Sequence, residues 1–265
     1  MTEAGLAWYA YCVLSADSRP RLDGVAGVDP SFDVRLLPHR DLGAVVSLVR
    51  LQEFGAEALK QNLESLDWVT RVAQAHNAVL RHVLSGHAVV PLRVCTLFVD
   101  EDSVRRVLER NREWLLEALM RLRGCTEWSV KVLAESPTPD AGKDRGARAA
   151  HADRGSGRAY FEQKKLQRTA KEESRARVER AVQEAHARLG RQAAAATVLP
   201  PQDRRISGHS GEMVLNGAYL VESARAAAFA ALVEELGERH RRIGLRLELS
   251  GPFAPYNFVG GGELR

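Results

Sequence analysis

Hydrophobic and polar positions alternate in some blocks of this chain, as strands do, and recur at three- and four-residue steps in others, as helices do. Residues 6–14 (LAWYAYCVL) are aromatic and β-branched and predict a first strand, closed by a turn-rich stretch through Pro20, Gly24, Gly27 and Pro30. Residues 34–37 and 44–49 predict two short strands around the polar turn Pro38-His39-Arg40-Asp41. Over 67–85, Trp68, Val72, Ala75, Val79 and Val83 mark one helix face, which Gly86 stops. Residues 89–99 are strand-like but hold Pro91, which has no N–H for a ladder, so a bent or interrupted strand is expected.

Ser103 stands where an N-cap would, ahead of Val104, Val107, Leu108, Leu115, Ala118, Leu119 and Leu122, the face of a helix ending near Gly124. Residues 127–133 alternate, with Trp128, Val130 and Val132 on one side of a strand. Residues 134–157 are rich in Ser, Pro, Thr, Asp, Gly, Ala and Arg without apolar period, which predicts a linker or mobile loop. A long helix follows over 158–189, with Glu173/Arg177 and Glu184/Arg188 at i, i+4 and an apolar stripe of Val178, Val182, Ala185 and Leu189. Strands over 193–199 and 213–221, a helix over 224–241 and a strand over 245–249 complete the chain.

Taken with the Trp128 strand, the second half runs strand, helix, strand, strand, helix, strand, the order of a ferredoxin-like split βαβ unit. The first half is a related, modified ferredoxin-like arrangement of three strands, helix, strand and helix. The expected fold class is therefore α+β in two domains, as suits 265 residues. The boundaries are an N-terminal domain over 1–133, the linker over 134–157 and a C-terminal domain over 158–265, with the 127–133 strand assignable to either side.

A composition of 45% hydrophobic and 27% charged residues is that of a folded, soluble chain. No apolar run approaches the roughly 20 residues of a membrane span. The opening Met-Thr-Glu-Ala-Gly lacks the basic start of a secretory signal, so a cytoplasmic location is expected. Cys12, Cys95 and Cys125 are odd in number and far apart, which predicts small buried hydrophobes and no disulfide framework. The net charge of +4 is concentrated: residues 158–191 hold ten Lys or Arg against five Glu, an excess larger than that of the whole chain.

Candidate chemistry is sparse. His76 and His82 stand six apart on one predicted helix, with His87 beyond it, which is not the i, i+4 spacing of a metal pair, so surface or capping roles are expected. No nucleophile elbow, phosphate loop or dinucleotide fingerprint occurs. Gly260-Gly261-Gly262 reads as a flexible tail, and Glu172-Glu173, Glu234-Glu235 and Asp100-Glu101-Asp102 as solvated helix faces or helix starts. No enzyme, cofactor or metal is expected. The unusual segment is 250–259 (SGPFAPYNFV), where two prolines stiffen a stretch carrying Phe253, Tyr256 and Phe258; these are the candidate partner-binding residues unless they fold back as core.

In this order and spacing, WYAYCVL, DLGAVVSLV, His76 in AQAHNAVL, VVPLRVCTLF, CTEWSVKVL, AYLV at 218–221 and SGPFAPYNFV resemble the gas vesicle protein F and L family (GvpF/GvpL) over nearly the whole chain. The family's usual R-F-G-T stands here as Arg93-Val94-Cys95-Thr96, and its G-P-W-P-P-Y as Gly251-Pro252-Phe253-Ala254-Pro255-Tyr256. The resemblance implies a non-catalytic accessory or minor structural protein of the gas vesicle. Such a protein would bind the small hydrophobic shell protein and other accessory proteins. It also implies a two-domain fold with a ferredoxin-like element. The rival reading is a nucleic-acid-binding module using a ferredoxin-like sheet and the basic helix over 158–191. That sheet lacks the K/R-G-F/Y-G/A-F-V-x-F/Y pattern, and the helix interleaves acids with its bases.

Overall fold

The computed structural model describes residues 5–134, 156–201 and 211–260, without the side chains of 156–160, 163 and 167. Two compact units form, one from the chain up to Glu127 together with the segment from Pro252, the other from Trp128 to Gly251. The proline and aromatic segment thus belongs with the N-terminal unit, although by sequence it continues the C-terminal domain. The 134–157 stretch lies almost wholly outside the described residues, as does most of the 200–211 loop and of the terminal glycine run.

In the first unit, β1 (Leu6–Ser15) is the central strand. It pairs antiparallel with β3 (Leu42–Arg50), which pairs antiparallel with β2 (Arg35–His39). A bulge falls between Ala10 and Cys12, where two steps on β1 oppose one on β3. The bulge reverses the alternation, so that Tyr9 before it, Tyr11 within it and Cys12 and Leu14 after it enter the same core. The other edge of β1 carries β4 (Val90–Pro91) and β5 (Leu97–Phe98), two short pieces separated by a loop in which Cys95 adopts φ 65°. This is the interruption expected around Pro91, and the positive φ falls where the family pattern places glycine.

Between β3 and β4 lie two short helices that the periodicity missed, α1 (Leu51–Phe54) and α2 (Ala56–Asn62), and then α3 (Leu66–Leu84), capped by Ser65. The buried face of α3 is Val72, His76, Val79, Leu80 and Val83. His76 is fully buried, which corrects the expected surface or capping role: it lies four residues after Val72 and three before Val79, on the core face itself. The helix over Glu101–Arg110, α4, is capped by Asp100 and not by Ser103, whose backbone N–H donates to Asp100 Oδ1 at 2.7 Å. Asn111 breaks the expected single helix, and α5 (Arg112–Leu122) follows it.

In the second unit the strand order is β7 (Ala195–Val198), β8 (Glu212–Glu222), β6 (Cys125–Ala134), β9 (Leu245–Phe253), with β7 and β8 antiparallel. The helices α6 (Ser156–Gln192) and α7 (Ala226–His240) supply its second layer. Leu189, Ala185, Phe229, Val233 and Leu236 pack with Val130, Tyr219 and Val221. The Glu184 and Arg188 side chains do not pair with each other as expected. Arg188 reaches Glu235 and Glu184 reaches Arg239, both on α7.

Candidate functional site

The segment after β9 is held by three sets of polar contacts from the first unit. Ala254 and Pro255 are buried, and a 3-10 turn at Tyr256–Phe258 follows. The Glu127 carboxylate accepts from the Asn257 backbone N–H at 2.9 Å and from Asn257 Nδ2 at 2.6 Å. Arg121 Nη2 donates to the carbonyls of Phe258 at 3.2 Å and Val259 at 2.7 Å. The Tyr256 hydroxyl lies 3.0 Å from His76 Nε2 and donates to the Leu92 carbonyl at 3.2 Å.

These contacts fix the tautomer of His76. Leu92 O can only accept and takes the Tyr256 proton, so Nε2 carries the imidazole hydrogen and donates into this pair of oxygens. Nδ1 then accepts from the Tyr9 hydroxyl at 2.8 Å, and that hydroxyl in turn accepts the Cys95 backbone N–H at 3.0 Å. Both hydroxyls and both ring nitrogens of this relay, with the Cys95 N–H and the Leu92 carbonyl at its ends, have partners. Burial among Tyr9, Tyr11 and their neighbours pushes His76 down to about 4, so the ring is neutral at physiological pH. Burial also pushes the Tyr9 and Tyr256 hydroxyls and the Glu127 carboxyl up.

Chemically, this is a clasp. His76 has both nitrogens engaged, and the Cys12 thiol, fully buried, is pushed well above its ordinary range, so it is a poor nucleophile. Among the described residues no group of three or more His, Cys, Asp or Glu side chains is placed to hold a metal ion, and no helix is long and apolar enough to cross a membrane.

Of the three residues singled out by sequence, Tyr256 turns its hydroxyl inward yet stays 38% exposed, Phe253 is 44% exposed, and Phe258 is half-buried. Tyr256 and Phe258 share the 3-10 turn; Phe253 stands at the end of β9. Sequence reasoning missed the residues that receive the segment: Tyr9, His76, Arg121 and Glu127. One local signal exists for Glu127, an acid beginning an otherwise apolar alternation.

A family model described as "Gas vesicle synthesis protein GvpL/GvpF" matches residues 7–260. The chain belongs to the GvpL/GvpF family. Among members of that family, it is 40% identical to gas vesicle protein L of Streptomyces sp. (strain CB03234), over 89% of this chain and 85% of that one. It is 31% identical to gas vesicle protein F of the same strain, over 96% and 100%. The crystal structure of GvpF from Anabaena sp. PCC7120 superposes with a TM-score of 0.68 at 19% identity, covering 97% of this chain and 98% of that one. GvpF from Microcystis aeruginosa gives 0.65, also at 19%, over 96% and 99%. At that identity the likeness shows the fold, a mixed α+β architecture with two sheets.

Proposed function

We propose that this protein is a non-catalytic accessory factor of gas vesicle assembly, located in the cytoplasm and at the vesicle, that holds the small hydrophobic shell protein and other accessory proteins by protein contacts alone. Membership of a gas vesicle synthesis family carries the first part. The second rests on one observation: the buried ionisable cluster of the first unit is occupied in binding the chain's own segment. His76 and Glu127 are engaged by Tyr256 and Asn257, which leaves them no reacting partner.

The clasp also supports a location for the contact. With Ala254 buried and Tyr256 and Asn257 anchored, Phe253 is presented on a rigid backbone, and a rigid aromatic gives contact area at little entropic cost. Phe253 is the leading contact in this reading, flanked by the rings of Tyr256 and Phe258. A shell subunit kept from aggregating needs its apolar face covered in this way. The greater identity to the L-type relative, 40% against 31% for the F-type one, supports an L-type member. The strand order of the second unit, with α6 and α7 as crossover helices, supports the ferredoxin-like reading of that unit.

The test is co-purification of the tagged protein from vesicle-forming cells, with mass spectrometry of what comes down. Shell and accessory proteins are expected with the wild type. Phe253→Ser with Phe258→Ser, which leaves the Tyr256 clasp in place, should lose the shell subunit while circular dichroism stays native. Undiminished capture would move the interface elsewhere.

A further inference from the structure

The second unit leaves β9 at the end of its sheet, hydrogen-bonded to β6 on one side only among the described strands. An open edge of this length presents a row of backbone donors and acceptors that natural proteins usually blunt or use. Beside it runs a groove of ≈ 610 Å³ between β9 and α7, with Val233, Gly237, Leu245, Leu247 and Leu249 as its apolar lining and Glu234, Glu238, Arg241 and Arg246 as its charged lining. Gly237 opens it: the helix carries no side chain there, and even an added Cβ would stand 4.0 Å from Leu247 Cβ. The leucines of the edge strand are therefore covered by α7 only in part, and Leu247 and Leu249 remain half-buried.

The sequence of this edge is complementary to itself when reversed. Residues 245–249 read Leu-Arg-Leu-Glu-Leu. Laid antiparallel on a second copy about Leu247, Leu245 opposes Leu249, Leu247 opposes Leu247, and Arg246 opposes Glu248 twice, by symmetry. Alternation puts the leucines of both strands on the groove face and the charges on the other. The placement of Arg246 and Glu248 on one face is visible within the chain, where their side chains lie 3.1 Å apart at 44% and 27% exposure. Opposite charges directly across an antiparallel pair are favourable and like charges unfavourable. Beyond Leu249 the pairing is stopped by Gly251, at φ 140°, and by Pro252, which has no N–H.

We infer that β9 is a homodimerisation edge, at which two copies of this chain pair antiparallel through residues 245–249 and fill each other's groove with Leu247 and its neighbours. A two-fold interface requires that a patch be complementary to itself, and this strand is so in both its apolar and its charged positions. The other edge strand, β7, is only four residues long and Ala-Ala-Thr-Val in sequence, with no such charge pattern.

The experiment is sedimentation equilibrium of the full chain from about 1 to about 100 µM, a range that brackets a modest interface. The mass should rise from one chain to two. Arg246→Glu places two carboxylates opposite each other at both ends of the pairing and should weaken association by about tenfold or more. Combining it with Glu248→Arg restores the complementary pattern as Leu-Glu-Leu-Arg-Leu and should restore the dimer. That rescue separates pairing from misfolding, and circular dichroism checks each variant. A wild type that stays single throughout, an Arg246→Glu chain that pairs as strongly as the wild type, or a double reversal that stays single would each overturn the inference.

Discussion

The Tyr256 hydroxyl and the His76 imidazole, 180 positions apart in the chain, meet at 3.0 Å inside the N-terminal unit. The contact ties the end of the described chain to the helix α3, and most of the expected behaviour of that unit follows from it.

Tyr256→Phe keeps the ring and removes the hydroxyl, leaving His76 Nε2–H with the Leu92 carbonyl nearby. A loss of about 1 kcal/mol is expected in urea unfolding. His76→Ala removes a buried ring as well as two hydrogen bonds and should lose about 2–4 kcal/mol. If Tyr256→Phe has no effect, the hydroxyl is not a working part of the clasp.

Stability should depend on pH through His76. The unfolded ring titrates near 6.5, whereas the native ring stays neutral down to about 4. Between these values the unfolded chain binds the proton and the native one does not. The His76 contribution is therefore complete above about pH 6.5 and lost as pH falls towards 4, by about 3 kcal/mol. Glu127 works in the opposite sense: burial raises its carboxyl, so its contribution is lost as pH rises above the ordinary Glu range. Urea midpoints between pH 4 and 7 should show the His76 slope in the wild type and a flattened one in His76→Gln.

Cys95 holds a left-handed backbone at φ 65°. Glycine adopts this without strain, at a gain of about 0.5–1 kcal/mol that offsets the lost packing of the half-buried thiol. Cys95→Gly should therefore melt at or above the wild-type temperature, and Cys95→Val, β-branched at the same φ, clearly below it. The reverse order would show that side-chain packing, not backbone strain, dominates at this loop.

The sequence carried the parts of this fold that local periodicity encodes. The Val72, Val79 and Val83 face and the alternation around Val130 appear as expected, because three- or two-residue spacing alone decides which side is buried. The bulge at Tyr11 is invisible to such reading, since it reverses the period within one continuous apolar run. Asn111 breaks a helix whose apolar face continues from Leu108 to Leu115, so the pattern passes over the break. Phe253, Tyr256 and Phe258 stand out as stiffened aromatics. Their receivers, His76 and Glu127, are separated from the segment by more than a hundred residues, and no local pattern reports a contact of that range.

The basic character of α6 should not produce tight nucleic-acid binding. Arg168 pairs with Glu172 and Arg175 with Glu179 along the helix, which divides the charge into local pairs. Retention on immobilised RNA or DNA should be weak and vanish near physiological salt; tight retention with a steep salt slope would favour the nucleic-acid reading.

Holding without turnover makes a stoichiometric demand, which light scattering of purified shell subunit can measure directly. Added in increasing amounts, the protein should suppress aggregation in proportion to its concentration and saturate near a fixed molar ratio, with no change on adding nucleotide or divalent metal. Failure to suppress aggregation at any ratio, or suppression at a small fraction of stoichiometry that requires nucleotide, would contradict a non-catalytic binder of the shell protein.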